Sequence, residues 1–206
     1  MGVAITLRGW GQVGAAITGS RSRTEDKLSA FEAMIARDWD RFHRFAYRLC
    51  AGNADDAEDL LSESLLDAFR AFDNYRGEGF DRWFFRMITN NRIDMARRAK
   101  VRRAESLDTA WTSDDGETHG REVAEKTGAT EPEKQILNAT YSEEVQKALD
   151  GLSNDFRAVI LLSDVEEMSY EEIATTMQIP VGTVRSRIHR GRTQMRKTLE
   201  SLGWRG

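Results

Sequence analysis

Residues 168–192 constrain the fold more than any other part of the chain. Ser169 is followed three residues later by Glu172, the spacing of a capping box at the start of a helix. We predict that this short helix ends near Met177 and that a tight turn containing Pro180 leads into a second helix, whose first positions tolerate proline. A short helix, a turn of a few residues and a second helix form a helix-turn-helix.

The second helix of this motif has two distinct faces. One face follows a spacing of four, three, four and four residues and is predicted to lie in the core: Val184, Ile188, Gly191, Met195 and Leu199. The other face is polar and basic: Arg185, Ser186, His189, Arg190 and Thr193. Such a face suits the DNA major groove, where arginine binds guanine edges or phosphates. The alternative is a structural helical hairpin with a solvated basic surface.

The remainder of the chain also favours helices. Only 2 of 206 residues are proline, about 1% against a typical ~5%. Apolar residues recur every three or four positions from Phe31 to Cys50, as expected for an amphipathic helix. We therefore predict an all-α protein in which two small helical domains are joined by a flexible linker.

The formal net charge of -4 at first argues against nucleic acid, but it is a sum over opposed segments. Residues 81–104 hold 8 basic and 2 acidic side chains, and residues 181–200 hold 6 basic and 1 acidic. Residues 105–135, in contrast, hold 9 acidic and 3 basic. Each basic block alone could be a solvated helix face, whereas two such blocks favour phosphate binding.

The domain boundaries follow from these patterns. Residues 1–24 are expected to be a disordered N-terminal extension, to which we assign no role. The helical domains are expected at 25–107 and 134–206. Residues 108–133, rich in Asp, Glu, Thr and Gly, are predicted to be a self-repelling linker.

Two helices of the first domain carry surface patterns. One holds a column of carboxylates at helical spacing, which is either a solvated surface or a docking stripe for a basic protein: Asp56, Asp59, Glu63 and Asp67. The next combines Trp83, Phe84 and Phe85 with repeated arginines. Buried core aromatics explain this mixture in part, but it also suits single-stranded nucleic acid, in which bases stack on aromatic rings.

Several other classes of function are disfavoured by composition. The lone Cys50 excludes an internal disulfide and fits a reducing cytoplasm, and the three scattered histidines give no metal-ligand spacing, so no metal or cofactor is expected. No stretch has the length of a membrane span or the form of a signal peptide. Catalysis is not expected either, because the carboxylates are predicted on helix surfaces and no His or Cys cluster exists.

Three motifs together resemble the extracytoplasmic-function (ECF) sigma factors, initiation subunits of bacterial RNA polymerase in the sigma-70 family. Residues 56–69 resemble the polymerase-docking helix, and residues 80–98 resemble the promoter-melting helix. Residues 169–190 resemble the helix-turn-helix that reads the -35 element. The resemblance spans about residues 25–200.

This resemblance implies a role for each pattern. The carboxylates Asp56, Asp59, Glu63 and Asp67 would dock on core RNA polymerase. The -35 duplex would be read by Thr183, Arg185, Ser186, His189 and Arg190. The single-stranded -10 element would be held by Tyr75, Arg76, Arg82, Trp83, Arg86, Asn90, Arg97, Arg98 and Lys100. Trp83 could equally belong to the core, and an anti-sigma factor is the implied regulator.

Two other classes of protein account for less of the sequence. A conventional helix-turn-helix regulator accounts for the second domain but not for the aromatic, arginine-rich helix. A small nucleic-acid hydrolase would require carboxylates clustered in a pocket.

In the family, Ala often stands where this chain has Gly191, and that glycine is expected to soften the recognition helix by up to about 1 kcal/mol.

Overall fold

The computed structural model describes residues 21–77, 79–110 and 142–204. All regular structure in these three ranges is helical, which confirms the predicted all-α class. Most of the predicted N-terminal extension and linker lie outside them. Residues up to Arg37 and those from Asp38 onward form two compact units, and all sites discussed below belong to the second.

Seven α-helices are described in these ranges. Helix α1 contains one non-helical residue, Asp38, with φ -118° and ψ 16°. After a 3₁₀ turn at Phe72–Asn74, a loop leads into α3, and a π-helical turn at Leu161–Val165 extends α5. The helices are α1 (Arg21–Leu49), α2 (Ala54–Ala71), α3 (Phe80–Ala110), α4 (Glu143–Asp150), α5 (Asn154–Ile160), α6 (Tyr170–Met177) and α7 (Val181–Ser201).

The first lobe, here residues 38–110, is built around an aromatic core. The Phe42 ring lies edge-on to Phe84 and Phe85, with centroids 4.7 and 5.1 Å apart, and Phe45 lies 4.8 Å from Phe85. All four rings are buried. Such edge-to-face pairs add to the stability gained from burial. Two of the three aromatics at the start of α3 therefore hold the lobe together, which leaves Trp83 for the surface.

The second lobe, here residues 142–204, contains the predicted helix-turn-helix. Ser169 caps α6, because its hydroxyl accepts from the Glu172 N–H at 3.2 Å and the Glu172 carboxylate accepts from the Ser169 N–H at 2.8 Å. Helix α6 ends at Met177, and Gln178 adopts the left-handed conformation with φ 54°. Helix α7 begins directly after Pro180. The predicted capping box, turn and helix boundaries are all present.

Gly191, predicted on the core face of this helix, allows a close contact between α7 and α5 that the sequence did not indicate. A Cβ atom at this position would lie 3.1 Å from Ile160 Cγ1 and 3.3 Å from Ile160 Cδ1. Glycine therefore lets α7 approach α5 more closely than alanine could without displacement of Ile160. Val184 and Ile188 are buried beside it, whereas Met195 and Leu199 are only half-buried.

Candidate nucleic-acid and protein interfaces

The outer face of α7 presents four of the five residues predicted to read the -35 element. Arg185, Ser186, His189 and Arg190 are exposed, and Thr183 is half-buried. The Ser186 hydroxyl donates to the Thr183 carbonyl at 3.0 Å. No ion pair is recorded for either Arg185 or Arg190 in the described part of the chain, so both guanidinium groups are available to bind an anion or a base edge.

Two other arginines of α7 are committed to the scaffold. Arg192 forms a two-point contact with the Asp164 carboxylate at 2.6 and 3.1 Å. Arg187 pairs with Asp155 at 2.9 Å. These two pairs attach α7 to the acidic residues of α5 and its π-helical turn. The basic block therefore divides into arginines that fix the helix and arginines that face outward.

The loop before α3 forms an aromatic cluster. Tyr75 lies parallel to Phe72 with centroids 5.8 Å apart, and its ring centroid is 5.3 Å from that of Trp83. Phe80 is buried beneath both, at 5.5 Å from each. Tyr75 and Trp83 remain half-buried, while Arg76 is exposed. The surface thus carries aromatic rings next to a cation, an arrangement on which a base can stack.

The α3 arginines assigned to the -10 strand are exposed but engaged. Arg82 pairs with Glu172 of α6, and Arg86 donates to the Thr175 carbonyl at 3.4 Å. Arg97 pairs with Asp94 one helical turn earlier, at 3.2 Å. Asn90, predicted to hold the single-stranded -10 element, is half-buried. The Lys100 side chain lies outside the described residues.

The carboxylate column follows one face of α2. Asp59 is exposed, whereas Asp56, Glu63 and Asp67 are half-buried. Glu63 accepts from Arg98 of α3 at 2.9 Å, so this pair joins the predicted docking stripe to the predicted DNA-binding helix. The predicted docking stripe is therefore partly engaged within the chain, which the sequence did not indicate, and Asp59 is its most accessible member.

Asn91 is a structural residue that the sequence analysis missed. Its amide donates to the buried Ser64 hydroxyl at 3.3 Å and to the Asp67 carboxylate at 3.2 Å. These bonds fix α2 against α3 and orient Asp67. The run of two asparagines at 90 and 91 could have suggested that one faces the core, but not which carboxylate it contacts.

Neither metal chemistry nor thiol chemistry is indicated in the described residues. They hold no cluster of His, Cys, Asp or Glu that could ligate a metal ion. Burial raises the pKa of the Cys50 thiol to about 11, so the thiol stays protonated at neutral pH. None of the described helices is long and apolar enough to cross a membrane.

Comparison with known proteins identifies both lobes. Residues 34–102 match the family model "Sigma-70 region 2", and residues 142–195 match "Sigma-70, region 4". Two solved structures align with TM-scores of 0.53 at 23% and 21% identity: the sigma factor RpoE of Bartonella quintana bound to the anti-sigma factor NepR, and CnrH bound to the cytosolic domain of CnrY. They cover 87% and 88% of this chain, and 98% and 95% of their own. At these identities the likeness concerns the fold.

Two sequence relatives establish the family. The ECF RNA polymerase sigma factor SigE of Mycolicibacterium smegmatis is 40% identical over 84% of this chain, but the match spans only 62% of that longer protein. The ECF RNA polymerase sigma factor SigW of Bacillus subtilis is 32% identical over 84% of this chain and 90% of its own length. With both sigma-70 regions matched in order, the chain belongs to the ECF sigma factors of bacterial RNA polymerase.

Proposed function

We propose that this chain directs RNA polymerase to promoters by reading a -35 element as duplex and a -10 element as a single strand. The observation that carries the proposal is the outward row Arg185, Ser186, His189 and Arg190 on α7. Its neighbours Arg187 and Arg192 are held by carboxylates of the scaffold. This arrangement suits a recognition helix, because the two ion pairs fix the helix while its outward arginines remain available to bind a guanine edge through two hydrogen bonds.

The -10 strand is assigned to the surface of the first lobe. Tyr75 and Trp83 would stack on unpaired bases, and Asn90 would hydrogen-bond to one of them. Arg76, Arg82, Arg86, Arg97, Arg98 and Lys100 would hold the phosphates. The half-buried state of Trp83 supports both parts of its predicted character, because its ring packs against Phe80 and Tyr75 and yet stays partly exposed.

Core polymerase is assigned to the α2 stripe of Asp56, Asp59, Glu63 and Asp67. A carboxylate column fits a basic protein surface through long-range attraction. The activity is binding and strand separation without catalysis by the chain itself, and it takes place in the cytoplasm, where polymerase and promoters are found. Because the structural neighbour RpoE is bound to the anti-sigma factor NepR, an anti-sigma protein is the regulator we propose.

The decisive experiment is transcription in vitro with core RNA polymerase and fragmented genomic DNA from the chain's own source, followed by sequencing of RNA 5′ ends. We expect starts that share two sequence blocks at a fixed spacing and that vanish without the protein. Tight binding to duplex DNA without polymerase, together with no transcripts, would favour the conventional helix-turn-helix regulator instead.

A further inference from the structure

The Ser186 hydroxyl forms a hydrogen bond within α7 that limits what it can do toward DNA. Ser186 is exposed on the outward face of the helix and donates to the Thr183 carbonyl at 3.0 Å. A hydroxyl has a single proton to donate, together with lone pairs that accept. Because a carbonyl oxygen can only accept, this proton is directed at Thr183. The outward side of the Ser186 oxygen is left with lone pairs alone.

Other hydroxyls of α7 are oriented in the same way. Thr193 donates to the His189 carbonyl at 2.8 Å, and Ser201 donates to the Thr198 carbonyl at 2.7 Å. Serine and threonine in helices commonly bond to a carbonyl one turn earlier. Ser186 differs from both in its position, because it lies within the outward row assigned to the -35 duplex. Its orientation therefore decides what the row can recognise.

The arginines of this row have the opposite hydrogen-bonding character. Arg185 and Arg190 are exposed, and a guanidinium group donates but never accepts. Arg185 is next to Ser186 in sequence, and Arg190 follows Ser186 one helical turn later on the same face. The row thus presents two groups that require an acceptor and, between them, one group that requires a donor.

The major groove of DNA offers few donors. Guanine presents the acceptors O6 and N7, and thymine presents the acceptor O4. The donors are the exocyclic amino groups, N6 of adenine and N4 of cytosine. Phosphate oxygens accept hydrogen bonds, so they would face the lone pairs of Ser186 without a proton between them. Of the polar groups that duplex DNA exposes to a recognition helix, only an amino group complements this hydroxyl.

Reorientation of the hydroxyl is disfavoured. Rotation of the proton toward DNA would allow Ser186 to donate, but the bond to Thr183 would be lost. An amino group on the DNA lets the hydroxyl keep that bond and accept at the same time. The helix itself is also held, since Arg187 and Arg192 pair with carboxylates of the scaffold. Both the position and the polarity of the Ser186 oxygen are therefore set before DNA binds.

We propose that Ser186 reads the -35 element as an acceptor: it accepts a hydrogen bond from the amino group of an adenine or cytosine and rejects guanine and thymine on the strand that it contacts. The inference rests on the proposed function for the assignment of α7 to duplex DNA. It adds the class of base, which the order of residues along the chain does not indicate. Ser186 should not separate adenine from cytosine, because each presents an amino group in the groove.

The first measurement finds the base pair that Ser186 contacts. Holoenzyme of core polymerase and the full chain is bound to a promoter from the transcription experiment, with each -35 base pair changed in turn. Ser186→Ala should lose discrimination at one base pair, by about fivefold, as expected for one neutral hydrogen bond. Ser201→Ala removes the same hydroxyl from the exposed end of α7 and should leave every preference unchanged. Ser186→Thr, which keeps a hydroxyl that can bond to an earlier carbonyl, should retain the preference.

The second measurement removes single groups from that base pair. An unsubstituted purine in place of adenine, or a pyrimidinone in place of cytosine, lacks the amino group. This change should weaken binding of the parent about fivefold more than binding of Ser186→Ala, whereas any loss of base pairing affects both proteins equally. Removal of the O4 or O6 oxygen from the opposite base should weaken both proteins equally. Thermal unfolding shows whether each variant is folded.

The possible results separate this inference from the proposed function. Preferences that are unchanged in Ser186→Ala would overturn the inference, and so would a loss, specific to the parent, when an acceptor oxygen is removed instead. If polymerase with this chain yields no promoter-dependent transcripts, the proposed function fails, and the same measurements are made on duplexes that the full chain selects from a random pool. An amino group read by Ser186 in those duplexes would support the inference alone, and failure to select any duplex would overturn both.

Discussion

The two basic helices, α3 and α7, differ in what their arginines already bind. On α7, Arg185 and Arg190 face outward with no ion pair recorded in the described residues. On α3, Arg82, Arg97 and Arg98 each face a carboxylate of the same chain. The outward arginines of α7 are thus available to bind an anion. The positive charges of α3, in contrast, are partly neutralised by carboxylates of the same chain. Similar charge content along a sequence does not imply similar availability.

The largest effect is expected from Arg157 of α5, which is buried and donates to carbonyls of both lobes. Arg157→Met would remove one hydrogen-bond donor from each of four carbonyls, of which that of Leu149 keeps a backbone donor. We expect the free energy of unfolding in urea to fall by about 3 kcal/mol, since buried polar groups without partners are costly. Arg196→Met, at an exposed position of α7, should change it by less than about 0.5 kcal/mol. Equal losses in the two variants would contradict a special role for Arg157.

Arg190→Ala tests whether the outward arginines of α7 bind promoter DNA. Loss of one two-point base contact costs about 1–3 kcal/mol, so promoter-specific transcripts should fall roughly tenfold or more. Affinity for core polymerase should not change. Arg196→Ala removes the same charge from the same helix and should affect initiation far less. A defect in polymerase binding with Arg190→Ala would show that the lobes do not divide their work as proposed.

Two variants of α2 distinguish its binding to core polymerase from its ion pairing with the arginines of α3. Asp59→Lys alters the exposed member of the stripe and should weaken core binding by about 1 kcal/mol, as expected for a rim charge. Glu63→Lys should weaken it similarly, and it also removes the partner of Arg98. Titration of labelled core polymerase measures both. If Asp59→Lys binds normally while Glu63→Lys does not, the effect of Glu63 comes from α3 rather than from the docking face.

The smallest effect concerns the support of α7. Gly191→Ala gains up to about 1 kcal/mol of helix propensity but crowds Ile160, so we expect a net loss below about 1 kcal/mol in chemical denaturation. In an Ile160→Val background, which removes Cδ1, the same substitution should cost less. An equal cost in both backgrounds would mean that the crowding lies elsewhere.

The sequence predicted those features that depend on neighbours along the chain. The Ser169 capping box, the end of α6 at Met177 and the buried stripe of Val184 and Ile188 all follow from local spacing, and all are present. Exposure of Arg185 and Arg190 follows from the same periodicity. Local rules suffice here because a helix fixes which of its own residues share a face.

Partners distant in sequence were not predicted. Arg192 and Asp164 are 28 positions apart, and Arg41 and Glu166 are 125 apart. Periodicity assigns a side chain to a face but does not say which helix covers that face. For the same reason the prediction that Gly191 softens α7 was incomplete. The glycine lowers the helix propensity of α7, but it also allows a close approach of α5 that only the fold reveals.

The capping box has a consequence for the cost of DNA binding by the helix-turn-helix. Glu172 is bonded to Ser169 within α6 as well as to Arg82 of α3, so loss of Arg82 leaves the start of α6 intact. The helix-turn-helix therefore keeps its local fold with or without the contact to α3. It would arrive at DNA already folded, and no binding free energy would be spent on ordering its backbone.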